Sequence, residues 1–134
     1  MKKLLATLAC AAVALATSAV AGEYPDISIS ELKEAIKAGN VTVIDVNGSA
    51  SFANGHIPGA IDFRANSKEI ASLLPSEKGA LVVAYCGGPS CNAYKAAAKA
   101  AEDLGYTNVK HLSAGISGWL QAGEATEKAK KADS

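Results

Sequence analysis

The sequence is poor in arginine and in aromatic side chains, and these shortages argue against a nucleic-acid-binding protein. Its 134 residues carry 13 basic and 13 acidic side chains, so the formal net charge is +0, and Arg64 is the only arginine. Aromatic residues make up 5% of the chain, and no basic run accompanies them. Because surfaces that bind nucleic acid concentrate positive charge and stacking side chains, we expect no nucleic-acid partner.

Long apolar runs are also missing, except at the N-terminus. Two lysines precede an apolar or small stretch from Leu4 to Val20, and Ala19-Val20-Ala21 supplies a small-residue cleavage site. This order is typical of a secretory signal peptide. An uncleaved anchor is the weaker alternative, because the stretch is barely long enough to span a bilayer. We expect residues 1–21, which include Cys10, to be removed, leaving a periplasmic or secreted protein without a membrane contact.

The predicted mature chain keeps only two cysteines, Cys86 and Cys91. Removing Lys2 and Lys3 from the 13 basic residues leaves 11 against 13 acidic ones, a net charge of −2. In an exported protein, two cysteines most simply form a structural disulfide. A bond between these two would close a very short ring and restrict little chain entropy. A reactive or redox role therefore gains weight.

Short apolar runs alternate with helix-forming segments, which predicts a single α/β domain over residues 22–122. Strands are predicted at 41–46, 60–63, 80–85 and 108–112, and helices at 29–37, 49–54, 68–74, 91–104 and 116–121. Such alternation favours a parallel sheet with helices on both faces. Residues 123–134 are charged and have no apolar stripe, so we expect a frayed or disordered tail.

The most informative segment is VVAYCGGPSCN, residues 82–92. A buried strand ends at Cys86, a Gly-Gly-Pro-Ser turn follows, and an alanine-rich helix begins. Sites in such sheets form at the carboxyl ends of strands, and free amides beside a helix N-terminus favour a thiolate. We therefore interpret Cys86 as a nucleophile, with a buried inert cysteine as the alternative. A ring of amides is expected to stabilise its anionic sulfur, from Gly87, Gly88, Ser90, Cys91 and Asn92.

Four segments, in the right order, resemble the rhodanese-like (sulfurtransferase) domain family. Asp45-Val46-Asn47 resembles an Asp-Val-Arg at a strand end, and Phe52–Ala60 resembles a Glu-Phe-x-x-Gly-His-Ile-Pro-Gly-Ala element. Tyr85-Cys86 opens what resembles the active-site loop, and Ser113–Trp119 resembles a closing Gly-Gly-x-x-x-Trp signature. The resemblance spans residues 26–122. It implies an approximately five-stranded parallel α/β domain whose loop cysteine carries a persulfide.

The resemblance implies transfer of sulfane sulfur through Cys86 to a thiol, cyanide or protein acceptor, without an organic cofactor or metal. Asn47 and Gly87 stand where the family commonly has arginines, so the sulfur donor stays open. A Cys86/Cys91 dithiol–disulfide relay and a non-catalytic binding module are the alternatives. Cys91 itself is interpreted in three ways: as a resolving thiol, as a loop residue that contributes its amide, or as half of a permanent disulfide.

The remaining polar candidates are interpreted mainly as structural support. We expect His56 to fix its turn through a hydrogen bond, and Asp45 to bond loop backbone or a neighbouring polar group. Trp119 is expected to form core or pocket wall, with Asn47 at the pocket rim. Two cysteines and two histidines match no common zinc-site spacing, so no metal is expected. The related Cys-x5-Arg phosphatase cradle is excluded, because its arginine would fall at Asn92 and the bidentate phosphate clamp would be lost.

Overall fold

Four short strands form the sheet: β1 (Val41–Asp45), β2 (Ile61–Asp62), β3 (Leu81–Tyr85) and β4 (Asn108–His111). The computed structural model describes residues 24–129. The strands lie in the order β2-β1-β3-β4, and every pairing is parallel. At the β4 edge, where a fifth strand could pair, there is a single parallel bridge between Asp26 and His111. The expected parallel sheet is confirmed, with four strands where about five were expected.

Within residues 24–129, six α-helices and one 3₁₀ turn precede, connect or follow these strands. They are α1 (Ile29–Ala38), α2 (Ser49–Asn54), α3 (Phe63–Asn66), the 3₁₀ turn (Ser67–Glu69), α4 (Ile70–Leu73), α5 (Tyr94–Asp103) and α6 (Gly115–Gln121). The start of α1 is fixed by a capping box, in which the Glu31 amide donates to Ser28 Oγ and the Ser28 amide donates to the Glu31 carboxylate. This local pattern is why the first helix could be predicted closely.

Side chains alternate along each strand, so the sheet has two apolar faces, and helices cover both. One face packs against α5 and α4; its buried residues include Ile44, Val82, Ala84, Cys86, Tyr94, Ala97 and Ala101. The other face packs against α1 and α6; its buried residues include Leu32, Val43, Val83, Tyr85 and Trp119. The predicted covering of both faces is confirmed.

Two predicted boundaries are wrong for a local reason. The strand predicted at 60–63 is cut short, because the Asp62 side chain accepts from the Ala65 amide and starts α3 at Phe63. The helix predicted from Cys91 starts instead at Tyr94, because the Cys91 amide donates to the Gly88 carbonyl in a turn. The helix predicted at 68–74 is present as the 3₁₀ turn followed by α4.

Residues 124–129 do not form the frayed tail expected from the sequence. The amides of His56 and Glu127 each donate to the other residue's carbonyl at 2.9 Å, an isolated antiparallel bridge. The indole Nε1 of Trp119 donates to the Ala125 carbonyl at 2.8 Å. These contacts come from distant parts of the chain, which the composition of the tail does not show.

The predicted signal peptide and residues 130–134 lie outside the described residues. Among residues 24–129, no helix is both long enough and apolar enough to cross a membrane.

Candidate active site

Cys86 follows directly on β3, at the carboxyl edge of the sheet. Its side chain is 2% exposed and belongs to the cluster that packs against α5. The preceding residue, Tyr85, points to the opposite face and is fully buried there. The central strand therefore holds the sulfur of Cys86 at a fixed place, where an adjoining loop can reach it.

The structure joins Cys86 and Cys91 by a disulfide, with Cα atoms 6.3 Å apart. Cys86 is buried, whereas Cys91 is partly exposed. This bond favours two interpretations of Cys91, a resolving thiol and half of a permanent disulfide, because both use its sulfur. It disfavours the interpretation in which Cys91 contributes only its backbone amide.

The loop between the two cysteines is a tight turn with most of its amides free. The Cys91 amide donates to the Gly88 carbonyl at 3.1 Å, and Pro89 occupies the second position of this turn, where proline is favoured. The amide of Cys91 is therefore committed, unlike the free donor expected from the sequence. Within residues 24–129, the other four candidate amides donate to no backbone carbonyl: those of Gly87, Gly88, Ser90 and Asn92.

The first residues of helix α6 hydrogen-bond to the start of this loop. The amide of Ile116 donates to the Cys86 carbonyl at 2.9 Å, and that of Ser117 donates to the Gly87 carbonyl at 3.0 Å. Gly115 has a φ of 63°, and a Cβ there would lie 2.5 Å from the Gly87 carbonyl carbon. Only glycine permits this close approach. Sequence reasoning missed Gly115 as a site residue, although the Gly-Gly-x-x-x-Trp resemblance contained it.

Asp45 and Tyr85 form a buried hydrogen-bonded pair beside the site. The Tyr85 hydroxyl donates to Asp45 Oδ2 at 2.5 Å and accepts from the Ile57 amide at 3.0 Å. Asp45 Oδ1 accepts from the Asn47 amide at 2.7 Å. Burial raises the pKa of Asp45, with the Tyr85 and Asn47 hydrogen bonds opposing it, and burial also raises the pKa of Tyr85. The pair ties the end of β1 to β3 and to the turn at Ile57.

The raised pKa of Asp45 gives stability a definite pH dependence. The unfolded state releases the Asp45 proton as pH rises past the ordinary pKa of 3.8, whereas the folded state keeps that proton to a higher pH. The contribution of Asp45 to stability therefore falls as pH rises from 3.8 towards the raised pKa. In Asp45→Asn the contribution is absent. We expect the unfolding free energy of the wild type, minus that of Asp45→Asn, to fall as pH rises from 3.8, measured by urea unfolding. A difference that rises with pH would contradict the direction of the shift.

His56 and Trp119 support the structure around the turn rather than line the cysteine loop. His56 is 5% exposed, its Nδ1 donates to the Phe52 carbonyl at 2.7 Å, and its ring stacks on Phe52 at 3.6 Å between centroids. Trp119 is buried beneath α1 and the segment 124–129. Within the described residues, no group of three or more His, Cys, Asp or Glu side chains is placed to hold a metal ion.

Asn47 lies at the loop and borders a cavity. Its amide oxygen is 3.9 Å from where a Cβ on Gly87 would be. The cavity has a volume of about 340 Å³ and is lined by Val46, Asn47, Gly48, Phe63, Arg64 and Ser67. Sequence reasoning noted Arg64 as the only arginine but did not place it here, because no motif links it to residues 46–48.

The chain matches a known family of proteins. The profile of the rhodanese-like domain family matches residues 28–122, and the chain belongs to that family. Its structure is also similar to that of a thiosulfate sulfurtransferase from Pseudomonas aeruginosa, with a TM-score of 0.68 and 21% sequence identity over 92% of this chain and 25% of that one. At this identity the likeness shows the fold alone.

Two curated relatives differ in what surrounds the domain. An HTH-type transcriptional regulator from Mycobacterium tuberculosis is 38% identical over 113 residues, 83% of this chain but 49% of the regulator. The thiosulfate sulfurtransferase GlpE from Shewanella oneidensis is 30% identical over 102 residues, 74% of this chain and 95% of that protein. The chain thus spans about half the length of the regulator and nearly all of the sulfurtransferase.

Proposed function

We propose that the protein is a sulfurtransferase that carries sulfane sulfur as a persulfide on Cys86. The observation that supports this most directly is the position of Cys86 at the end of β3, followed closely by four residues whose amides donate to no backbone carbonyl within residues 24–129. Membership of the rhodanese-like family and the match to GlpE along 95% of its length agree with it. Amide donors close to Cys86 would stabilise the negative charge of a terminal persulfide.

The reaction begins once two equivalents of a thiol reduce the Cys86–Cys91 disulfide and leave as their own disulfide. The Cys86 thiolate attacks the outer sulfur of the donor, a new S–S bond forms, and the donor's remainder leaves with the electron pair of the broken bond. From thiosulfate, that leaving group is sulfite. An acceptor thiolate or cyanide then attacks the outer sulfur, and Cys86 leaves as a thiolate. Neither half-reaction needs a metal or an external oxidant.

Intact-mass spectrometry of the reduced protein tests this proposal. Thiosulfate or glutathione persulfide should add about 32 Da, the mass of one sulfur, and cyanide should remove it. An unchanged mass with both donors, together with the alkylation rate of an ordinary free thiol, would point to a non-catalytic binding module instead.

The observed disulfide favours a second candidate, a dithiol–disulfide relay between Cys86 and Cys91. Because Cys91 is the more exposed of the two sulfurs, a partner thiolate would attack Cys91 Sγ and release the Cys86 thiolate. A second partner thiol would then resolve the mixed disulfide, so that the protein is reduced by two electrons and the partner is oxidised.

Replacing Cys91 with serine separates the two candidates. Sulfur transfer needs only Cys86, so we expect Cys91→Ser to load sulfur fully and to be active without prior reduction. The relay needs both sulfurs, so the same variant should lose all exchange with a thiol substrate. The measurement is the intact mass after donor treatment, beside the rate of thiol exchange. If Cys91→Ser loses both thiol exchange and sulfur loading, the relay is favoured.

We also propose that the protein acts outside the cytoplasm, since disulfides persist in oxidising compartments and residues 1–21 resemble a signal peptide. The intact mass of protein recovered from cells tests this: export predicts a chain that begins at Gly22. A mass that retains residues 1–21 would contradict cleavage.

A further inference from the structure

The cavity beside Asn47 adjoins the cysteine loop because two parallel strands end together. β1 and β3 pair with Asp45 opposite Tyr85, and the Val46 amide donates to the Tyr85 carbonyl at 2.9 Å. The residues after β1 therefore lie alongside the residues after β3, which are Cys86 and Gly87. Val46 and Phe63, two walls of the cavity, also pack against the cluster that contains Cys86.

Arg64 gives this cavity a positive charge. None of the ion pairs within residues 24–129 includes Arg64. The nearest acid in sequence, Asp62, is buried, and its carboxylate accepts from Ser49 Oγ at 2.6 Å and from the Ala65 amide at 3.4 Å. The Arg64 guanidinium, with five N–H donors in a planar fork, is thus available to an anion.

We propose that this cavity binds the carboxylate of the small thiol that accepts sulfur from Cys86, with Arg64 as the residue that selects it. The proposal rests on the sulfurtransferase function above and adds the chemical class of the acceptor. A volume of about 340 Å³ falls within the range of pockets for small organic ligands. Val46 and Phe63 suit the aliphatic part of such a thiol, and Asn47 and Ser67 suit its polar groups.

The step assigned to this site balances without a further reactant. The acceptor thiolate attacks the outer sulfur of the Cys86 persulfide, a new S–S bond forms, and the bond from Cys86 Sγ to that sulfur breaks. The electron pair stays on Cys86 Sγ as a thiolate, and the acceptor becomes a persulfide. Arg64 takes no part in bond making; it positions the acceptor through the carboxylate.

A matched pair of acceptors tests the assignment in turnover. 3-Mercaptopropionate carries a carboxylate, and 3-mercaptopropanamide has nearly the same size without the charge. Arg64 is exposed. In Arg64→Gln we therefore expect KM for 3-mercaptopropionate to rise about fivefold, the scale of an exposed ion pair, while kcat and the amide's KM stay unchanged. Lys68→Gln, an exposed basic side chain outside the cavity lining, should leave both KM values unchanged. Equal effects on both acceptors, or none, would overturn the assignment.

A binding measurement keeps the assignment testable without sulfur transfer. 3-(Methylthio)propionate cannot react, and its titration should shift the backbone amide NMR signals of Asn47 and Gly48, with about fivefold weaker binding in Arg64→Gln. Such binding in a protein whose Cys86 never loads sulfur would support the anion site and refute the sulfurtransferase proposal. Sulfur loading without any shift at Asn47 or Gly48 would refute the anion site alone.

Discussion

Replacing Cys86 with serine is expected to abolish sulfur loading and to lower sulfurtransferase turnover by about 1,000-fold or more, as removal of a catalytic nucleophile does. A serine hydroxyl cannot hold a sulfane sulfur, and no second cysteine of the described residues stands at the end of a strand. Intact mass after treatment with a donor gives the loading, and thiocyanate formation from cyanide gives the turnover.

The matched control is Cys91→Ser, because both substitutions break the same disulfide and differ only in which sulfur remains. Loss of loading in Cys86→Ser together with full loading in Cys91→Ser would assign the persulfide to Cys86. It would also show that the loss does not come from breaking the disulfide that closes the loop. Thiocyanate formation by Cys86→Ser at the wild-type rate would refute the assignment of this cysteine.

Replacing Gly115 with alanine is expected to displace the cysteine loop. A Cβ there would lie 2.5 Å from the Gly87 carbonyl carbon and 2.6 Å from the Gly88 amide nitrogen, and these are backbone atoms that no side-chain rotation moves. We expect a loss of about 2 kcal/mol or more in the free energy of unfolding. We also expect about 100-fold slower sulfur loading, because small misplacement of reacting groups is costly. Urea unfolding and single-turnover loading measure the two effects.

Gly39→Ala separates strain at a positive φ from the collision with the loop. Gly39 has a φ of 75° at the end of α1, and a Cβ there would meet nothing within 4 Å. We expect a moderate loss of stability and normal sulfur loading from this control. Normal loading in Gly115→Ala as well would show that α6 does not position the loop.

Local patterns predicted the parts of the fold that are decided locally. The β-branched run of β1 and the capping box at Ser28 predicted a strand and a helix start that the structure contains. The position of Cys86 directly after β3 could likewise be predicted, because the apolar run ends at Tyr85. Such features depend on residues within a few positions of one another.

The features that could not be predicted depend on contacts between distant residues. Gly115 meets Gly87 across 28 positions of sequence, and Glu127 bridges to His56 across 71. Arg64 borders a cavity with Asn47 only because β1 and β2 are neighbours in the sheet. No local pattern indicates which loop a distant side chain will face.

Trp119 gives the protein a built-in optical reporter of these long-range contacts. It is the only tryptophan of the chain, and its indole is buried and bonded to the Ala125 carbonyl. It also belongs to α6, the helix whose first residues hold the loop of Cys86. Its fluorescence spectrum is therefore expected to change when the cysteine loop moves relative to α6, and also when the segment 124–129 moves. No added label is needed.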